Sequence, residues 1–178
     1  MSEVYMIGDL HIGHKNILKF RTGLGTFRGR TKDANSRCSP TTVDEHDQYI
    51  LDAWNEVVKK RDTVFVLGDV CMDIEKMKII GKMKGNKILV MGNHDEFNMQ
   101  VYLKYFYKVV SLIRYKGYWL SHCPIHPEEL RGRKNIHGHC HSNSVPDERY
   151  FNACVEQTNC GQPILFSDIV ESTGGYKC

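Results

Sequence analysis

The chain has 178 residues, 41% hydrophobic and 25% charged, with a net charge of +3. That length suits one domain with a proper core, and a charge so near neutral neither demands nor excludes nucleic acid. Its seven cysteines contain no C-x-x-C pair, which argues against a disulfide framework or zinc ribbon and fits reduced thiols in a cytoplasm; no leader-type h-region and no bilayer-length apolar run occurs, so neither a signal peptide nor a membrane partner is expected.

Residues 4–7 read as a short buried strand that stops at Gly8. Asp9 and His11 follow, one residue apart, with His14 in the same loop. Residues 15–37 carry seven Lys or Arg, among them Arg21 and Arg28, against the single acid Asp33, a local charge of +6. This stretch reads as a basic loop insertion at about 15–40 in an otherwise single domain, 1–178. It is either a solvated surface segment or a flap that meets a phosphate, with His14, Arg21 and Arg28 the candidate substrate contacts.

Thr41-Thr42 before Asp44 and Glu45 supplies a helix start, and Tyr49, Ile50, Ala53, Trp54, Val57 and Val58 recur at helical spacing over 43–60. His46 falls on the polar side of that helix and is expected at the surface. Residues 64–67 form a second apolar strand closed by Gly68-Asp69, a helix is expected over 74–83, and residues 87–91 form a third strand closed by Gly92-Asn93-His94-Asp95. Strands alternating with helices predict α/β with a largely parallel first sheet, whose ligands gather at the carboxyl ends of the strands.

The second half changes character. A short helix is expected over 97–104, then a strand pair at 107–114 and 118–120 that ends in Ser121-His122-Cys123-Pro124. A short strand at 134–137 runs into Gly138-His139-Cys140-His141, residues 149–155 alternate as a strand, and a last helix is expected over 164–170. Cys123 and Cys140, beside these histidines, are expected to be small apolar fillers.

Seven residues of metal-ligand type therefore stand at strand ends: Asp9, His11, Asp69, Asn93, His122, His139 and His141. A mixed carboxylate, amide and imidazole set without cysteine spacing suits a hydrolytic ion rather than a structural zinc. Seven is too many for one tetrahedral ion and suits two ions that share a carboxylate, roughly 3.5–4 Å apart. Mn2+ fits the mixed oxygen and nitrogen donors best, and Fe, Zn and Ni also fit.

The order D-L-H, G-D, G-N-H-D, H, G-H-C-H resembles the signature of the calcineurin-like metallophosphoesterase superfamily, from Asp9 to His141. The resemblance implies a four-layer α/β/β/α sandwich with two mixed sheets. It also implies one ion on Asp9, His11, Asp69 and His141, and a second on Asp69, Asn93, His122 and His139. His94 resembles the residue that meets a phosphate oxygen or protonates the leaving group, with Asp95 as its orienter. Members that grip phosphomonoesters usually follow G-D with D-R-G, whereas this chain has Val70-Cys71-Met72-Asp73. It looks more like the small bacterial and phage members that open with D-x-H-x-G-H. A dinuclear phosphodiesterase acting on small phosphoester or nucleotide substrates is the expectation, with phosphomonoesters as the nearest alternative. Nucleic acid is a partner the basic stretch leaves open without favouring. The superfamily also holds a protein-binding scaffold whose catalytic histidine position is damaged; here His94 fills it.

Overall fold

The computed structural model describes residues 2–21, 40–158 and 161–175. It is a mixed α/β fold built on two mixed sheets. In the first, β1 (Val4–Ile7), β2 (Thr63–Val66), β3 (Asn86–Val90) and β4 (Lys108–Val110) run parallel in the order β4-β3-β2-β1, and β9 (Ile164–Leu165) adds antiparallel beside β1. In the second, β5 (Ile113–Tyr115), β6 (Tyr118–Ser121), β7 (Lys134–His137) and β8 (Tyr150–Asn152) lie in that order, with β5 antiparallel to β6 and the rest parallel.

Period-2 alternation sorts the first sheet's side chains into two cores. Ile7, Val64, Val66 and Leu89 join Ile50, Trp54, Met77 and Ile80 from α2 (Val43–Val57) and α3 (Met77–Lys82). Met6, Phe65, Leu67 and Val90 face Tyr118, Leu120 and Ile136 of the second sheet. Each such buried aliphatic or aromatic side chain contributes about 1.5–3 kcal/mol of apolar burial. α5 (Phe166–Ser172) closes this inter-sheet core with Phe166 and Ile169. On the outer side of the second sheet, the Trp119 indole donates to Leu130 O of a single 3-10 turn, Pro127–Leu130.

Local chemistry explains most boundaries. Thr42 and Glu45 form a complete capping box at the start of α2, and the Trp54 indole anchors its far end through Lys84 O at 2.9 Å. Two expectations are corrected. Residues 107–114 are not one strand: β4 pairs with β3 in the first sheet and β5 with β6 in the second, so the chain changes sheets at Ser111-Leu112. The expected terminal helix begins instead as β9, because Ile164 and Leu165 can pair with Met6 and Tyr5 along the free edge of β1. The remaining helices are shorter than their apolar stripes, α4 covering only Met99–Tyr102 and the 74–83 segment splitting into a 3-10 turn (Ile74–Lys76) followed by α3.

Candidate metal centre

The carboxyl ends of β1, β2, β3, β6 and β7 meet at one place. The loops after β1 and β2 zip together through Asp9 N to Gly68 O and His11 N to Asp69 O, each 3.0 Å. Gly138 N donates to His122 O at 2.9 Å, and Gly8 N to Ala153 O at 2.8 Å, which joins the two sheets at the same level. Five of the seven candidate ligands sit in left-handed backbone: Asp9 (φ 60°), His11 (50°), Asp69 (54°), His139 (67°) and His141 (49°). Among the described non-glycine residues only Lys116 and Arg131 share that region. Asp and His tolerate it better than branched residues, yet each such residue stores strain of about 1 kcal/mol or more. In D-L-H and H-C-H, two such residues flank one buried or half-buried neighbour.

The side chains converge on two points. His11 Nε2 lies 3.7 Å from Asp9 Oδ1 and 3.8 Å from Asp69 Oδ2, and His141 Nε2 lies 3.7 Å from Asp9 Oδ1. His122 Nε2 lies 3.5 Å from Asp69 Oδ1, 2.9 Å from Asn93 Oδ1 and 3.1 Å from His139 Nδ1. The two oxygens of Asp69 thus face different clusters.

These atoms fit divalent cations. His122 Nδ1 is 2.8 Å from Leu67 O, a carbonyl that can only accept, so Nε2 of the neutral ring is an acceptor. It nonetheless faces oxygens of Asn93 and Asp69. In the other cluster, buried Asp9 Oδ1 and His11 Nε2 have no hydrogen-bond partner among the described residues, and a separation of 3.7 Å is too long to supply one. In the Asp9 and His11 cluster, acceptors converge with no donor within reach, which is costly unless a cation sits between them. Burial alone would raise the Asp9 carboxyl. The His11 and His122 rings, the Cys154 thiol and His139 N outweigh burial and hold it below its usual range. Burial lowers the His11 pKa and keeps a lone pair available.

A supporting residue escaped the sequence reading. Glu156 Oε1 accepts from His141 Nδ1 at 2.9 Å and from Arg21 Nε at 2.7 Å. The Glu156 bond raises the His141 pKa and fixes the ring so that Nε2 faces Asp9. This is the carboxylate–histidine pairing that orients metal-binding imidazoles. Burial alone would raise the Glu156 carboxyl, but the His141 hydrogen bond and the Arg21 charge lower it overall. Glu156→Gln should weaken divalent-metal binding roughly tenfold by titration, and should cost the metal-free protein about 3 kcal/mol in urea unfolding by leaving Arg21 buried and unpaired. Because the folded carboxyl is depressed, the wild-type advantage is complete above the ordinary glutamate value of about 4.3 and is lost as pH falls through the lower folded value.

Arg21, a candidate substrate contact, turns inward. It is buried, and besides Glu156 its guanidinium reaches Leu10 O at 3.1 Å, Asp9 O, and the His46 ring at 2.8 Å. It holds the loop that presents Asp9 instead of facing solvent. His46, expected at the surface, is buried against Arg21 and Asp47, and Asp47 accepts from Gly13 N at 3.0 Å. Arg28 and residues 22–37 of the basic stretch lie outside the described residues. Asp95 is not spent on His94: its two oxygens accept from Gly92 N, Asp69 N and Val70 N at 2.8–3.0 Å. It knits the β3 loop to the loop carrying Asp69. Cys123, expected as an apolar filler, is exposed, and Cys140 is half-buried. His94 is exposed, donates from its backbone to Asp69 Oδ1 at 3.0 Å, and its ring stands 6.1 Å from that of His11. With His11, His14 and His141 it lines a cavity of about 480 Å3.

Glycine is required where these loops touch. A Cβ on Gly92 would collide with Asp69 Oδ1 and stand 2.7 Å from Asp69 N. Gly92→Ala is therefore expected to displace the Asp69 carboxylate and to lower bound metal below two ions per chain by elemental analysis, while the circular dichroism of the fold persists.

Comparison with known proteins gives one family and several relatives. The family described as calcineurin-like phosphoesterase matches residues 3–172. The uncharacterized protein MJ1445 of Methanocaldococcus jannaschii is 28% identical over 172 residues, covering 93% of this chain and 84% of that protein. The gene 66 protein of Mycobacterium phage L5 is 35% identical over 100 residues, 53% of this chain and 41% of that protein, so this match spans well under half of the phage protein. Among solved structures, the protein of unknown function AQ665 from Aquifex aeolicus superposes with a TM-score of 0.69 at 28% identity, covering 96% of this chain and 99% of the other.

Proposed function

This chain belongs to the calcineurin-like phosphoesterase family and is a metal-dependent phosphoesterase; we infer that it is a phosphodiesterase acting on nucleotide-type substrates through two ions, Mn2+ by preference. The family implies divalent ions in a dinuclear centre. The observation that carries the assignment to this chain's residues is the divided carboxylate of Asp69, one oxygen toward His11 and the other toward His122. In this reading one ion is held by Asp9, His11, Asp69 and His141, and the other by Asp69, Asn93, His122 and His139.

Two ions held there would supply an acidified water for attack on phosphorus and Lewis-acid stabilisation of the charge that grows on it. The chain's own residues do the rest. Glu156 and Leu67 O fix the tautomers of His141 and His122, so each ring offers a lone pair without rearranging. His94, tethered through its backbone to Asp69, stands at the cavity wall where it can donate to a phosphate oxygen or to the departing oxygen. His14 shares that wall, and its Nδ1 accepts from Asn16 N at 3.2 Å, so the neutral ring presents Nε2–H as a donor. Asp95 acts as a positioning residue for the Asp69 loop.

The turn after Asp69 favours diesters over monoesters. The stretch Val70-Cys71-Met72-Asp73 holds no arginine, and Val70 and Cys71 are buried, so these four residues offer no cation to a second phosphate charge. A cytoplasmic setting belongs to the same reading, supported by four free cysteines among the described residues; no helix among those residues is long and apolar enough to cross a membrane. The test is hydrolysis of bis(p-nitrophenyl) phosphate against p-nitrophenyl phosphate with Mn2+ added. Diester preference of roughly tenfold or more in kcat/KM is expected, and a monoester preference would overturn the substrate assignment.

A further inference from the structure

The cavity before the metal centre has two chemically different walls. One is polar: His11, His94 and His141, with Glu156 behind. The other comes from α1 (Ile17–Phe20), whose Ile17 and Phe20 lie three residues apart and so share a helix face. Ile17 is buried, but Phe20 is 75% exposed. The Phe20 ring packs edge-on against His14 at 5.9 Å, and His14 in turn stands 5.7 Å from His11. An exposed phenylalanine contributes little to the core, and apolar surface beside a polar reaction centre is the usual composition of a small-molecule site. The polar wall accounts for a phosphate; it leaves Ile17 and Phe20 without a role in any hydrolysis of phosphate alone.

We propose that Phe20, backed by Ile17 and the His14 ring, is the stacking platform for the planar base of a nucleotide whose phosphate lies at the metal centre. The occupant is set by the wall's chemistry. A flat aromatic face beside the His14 Nε2–H suits a ring that is apolar on its faces and hydrogen-bonding on its edges. Two ring-to-ring contacts, His11 to His14 at 5.7 Å and His14 to Phe20 at 5.9 Å, connect the platform to the candidate metal centre. Such a platform would accept a nucleotide without base-specific contacts, because every base has such a face. The proposal rests on the phosphoesterase reading of the metal centre.

Two measurements test it. The first compares thymidine 5′-p-nitrophenyl phosphate with methyl p-nitrophenyl phosphate, which share a leaving group and differ only in the retained ester. In the wild type the ratio of kcat/KM should favour the thymidine ester. Phe20→Ala should lower that ratio roughly tenfold, and Phe20→Trp should restore it. A ratio unchanged within about twofold in Phe20→Ala would overturn the proposal. The second measures binding without turnover. Fluorescence of the Phe20→Trp protein, against the wild-type background of Trp54 and Trp119, should be quenched by adenosine 5′-monophosphate and not by inorganic phosphate. Absence of quenching by either, or equal quenching by both, would overturn the platform. Selective quenching by the nucleotide in a protein that hydrolyses no phosphoester would uphold the platform and reject the hydrolase reading.

Discussion

Asp69→Ala is expected to reduce phosphoester hydrolysis by about a thousandfold or more, equivalent to about 4 kcal/mol of transition-state stabilisation. The effect should be larger than for any other single candidate ligand. Asp69 turns one oxygen toward His11 and the other toward His122, and its Oδ1 also accepts from His94 N. Removing it would unbridge the centre, leave His11 and His122 facing a void, and release the loop that carries His94. The metal content should fall from two ions to at most one, read by elemental analysis after desalting. Asp69→Asn should fall nearly as far, since an amide cannot offer two anionic oxygens. Full activity with two retained ions in Asp69→Ala would remove Asp69 from the centre.

His94→Ala should give the second largest loss, on the order of a hundredfold in kcat, with both ions retained. Its ring lines the cavity and stands apart from both clusters of converging acceptors. A group that protonates the departing oxygen matters most when that oxygen leaves as a poor leaving group. The loss should therefore shrink with p-nitrophenolate, which needs little protonation, and grow with an alkyl leaving group. Loss of an ion in His94→Ala, or an equal loss for good and poor leaving groups, would contradict the assigned role.

The convergence of the candidate ligands was legible because their chemistry is written in residue types at strand ends. Asp9, His11, Asp69, Asn93, His122, His139 and His141 each follow an apolar strand or its closing glycine, and folding gives no reason for such groups there. The first sheet was legible for a similar reason. Its strands β1, β2 and β3 are short apolar runs that lead into Gly8, Gly68 and Gly92, and parallel packing between two layers favours such apolar runs.

What stayed hidden depends on partners distant in sequence. Glu156 gives no local sign of a task, because its partners Arg21 and His141 lie 135 and 15 residues away. Arg21 sits in a basic stretch, and composition reads basic stretches as solvated; only the fold shows that its guanidinium is consumed by Glu156, His46 and two backbone carbonyls. His46 was misplaced for the same reason, since a polar helix face is buried when another loop packs on it. Asp95 looked like a partner of its neighbour His94, yet its oxygens go to three backbone N–H groups. The split of residues 107–114 between sheets and the pairing of β9 are decided by which edges are free, a property of the assembled sheets. The left-handed backbone at five candidate ligands is likewise set by the joined loops.

Metal titration of the wild type followed by electron paramagnetic resonance tests the central claim most directly. With Asp69 between the two clusters, the protein should bind two Mn2+ per chain, and the fully loaded form should give the exchange-coupled spectrum of a carboxylate-bridged pair that collapses to an isolated six-line signal in Asp69→Asn. Saturation at one ion per chain, or two ions giving only uncoupled six-line signals in the wild type, would contradict a dinuclear centre bridged by Asp69.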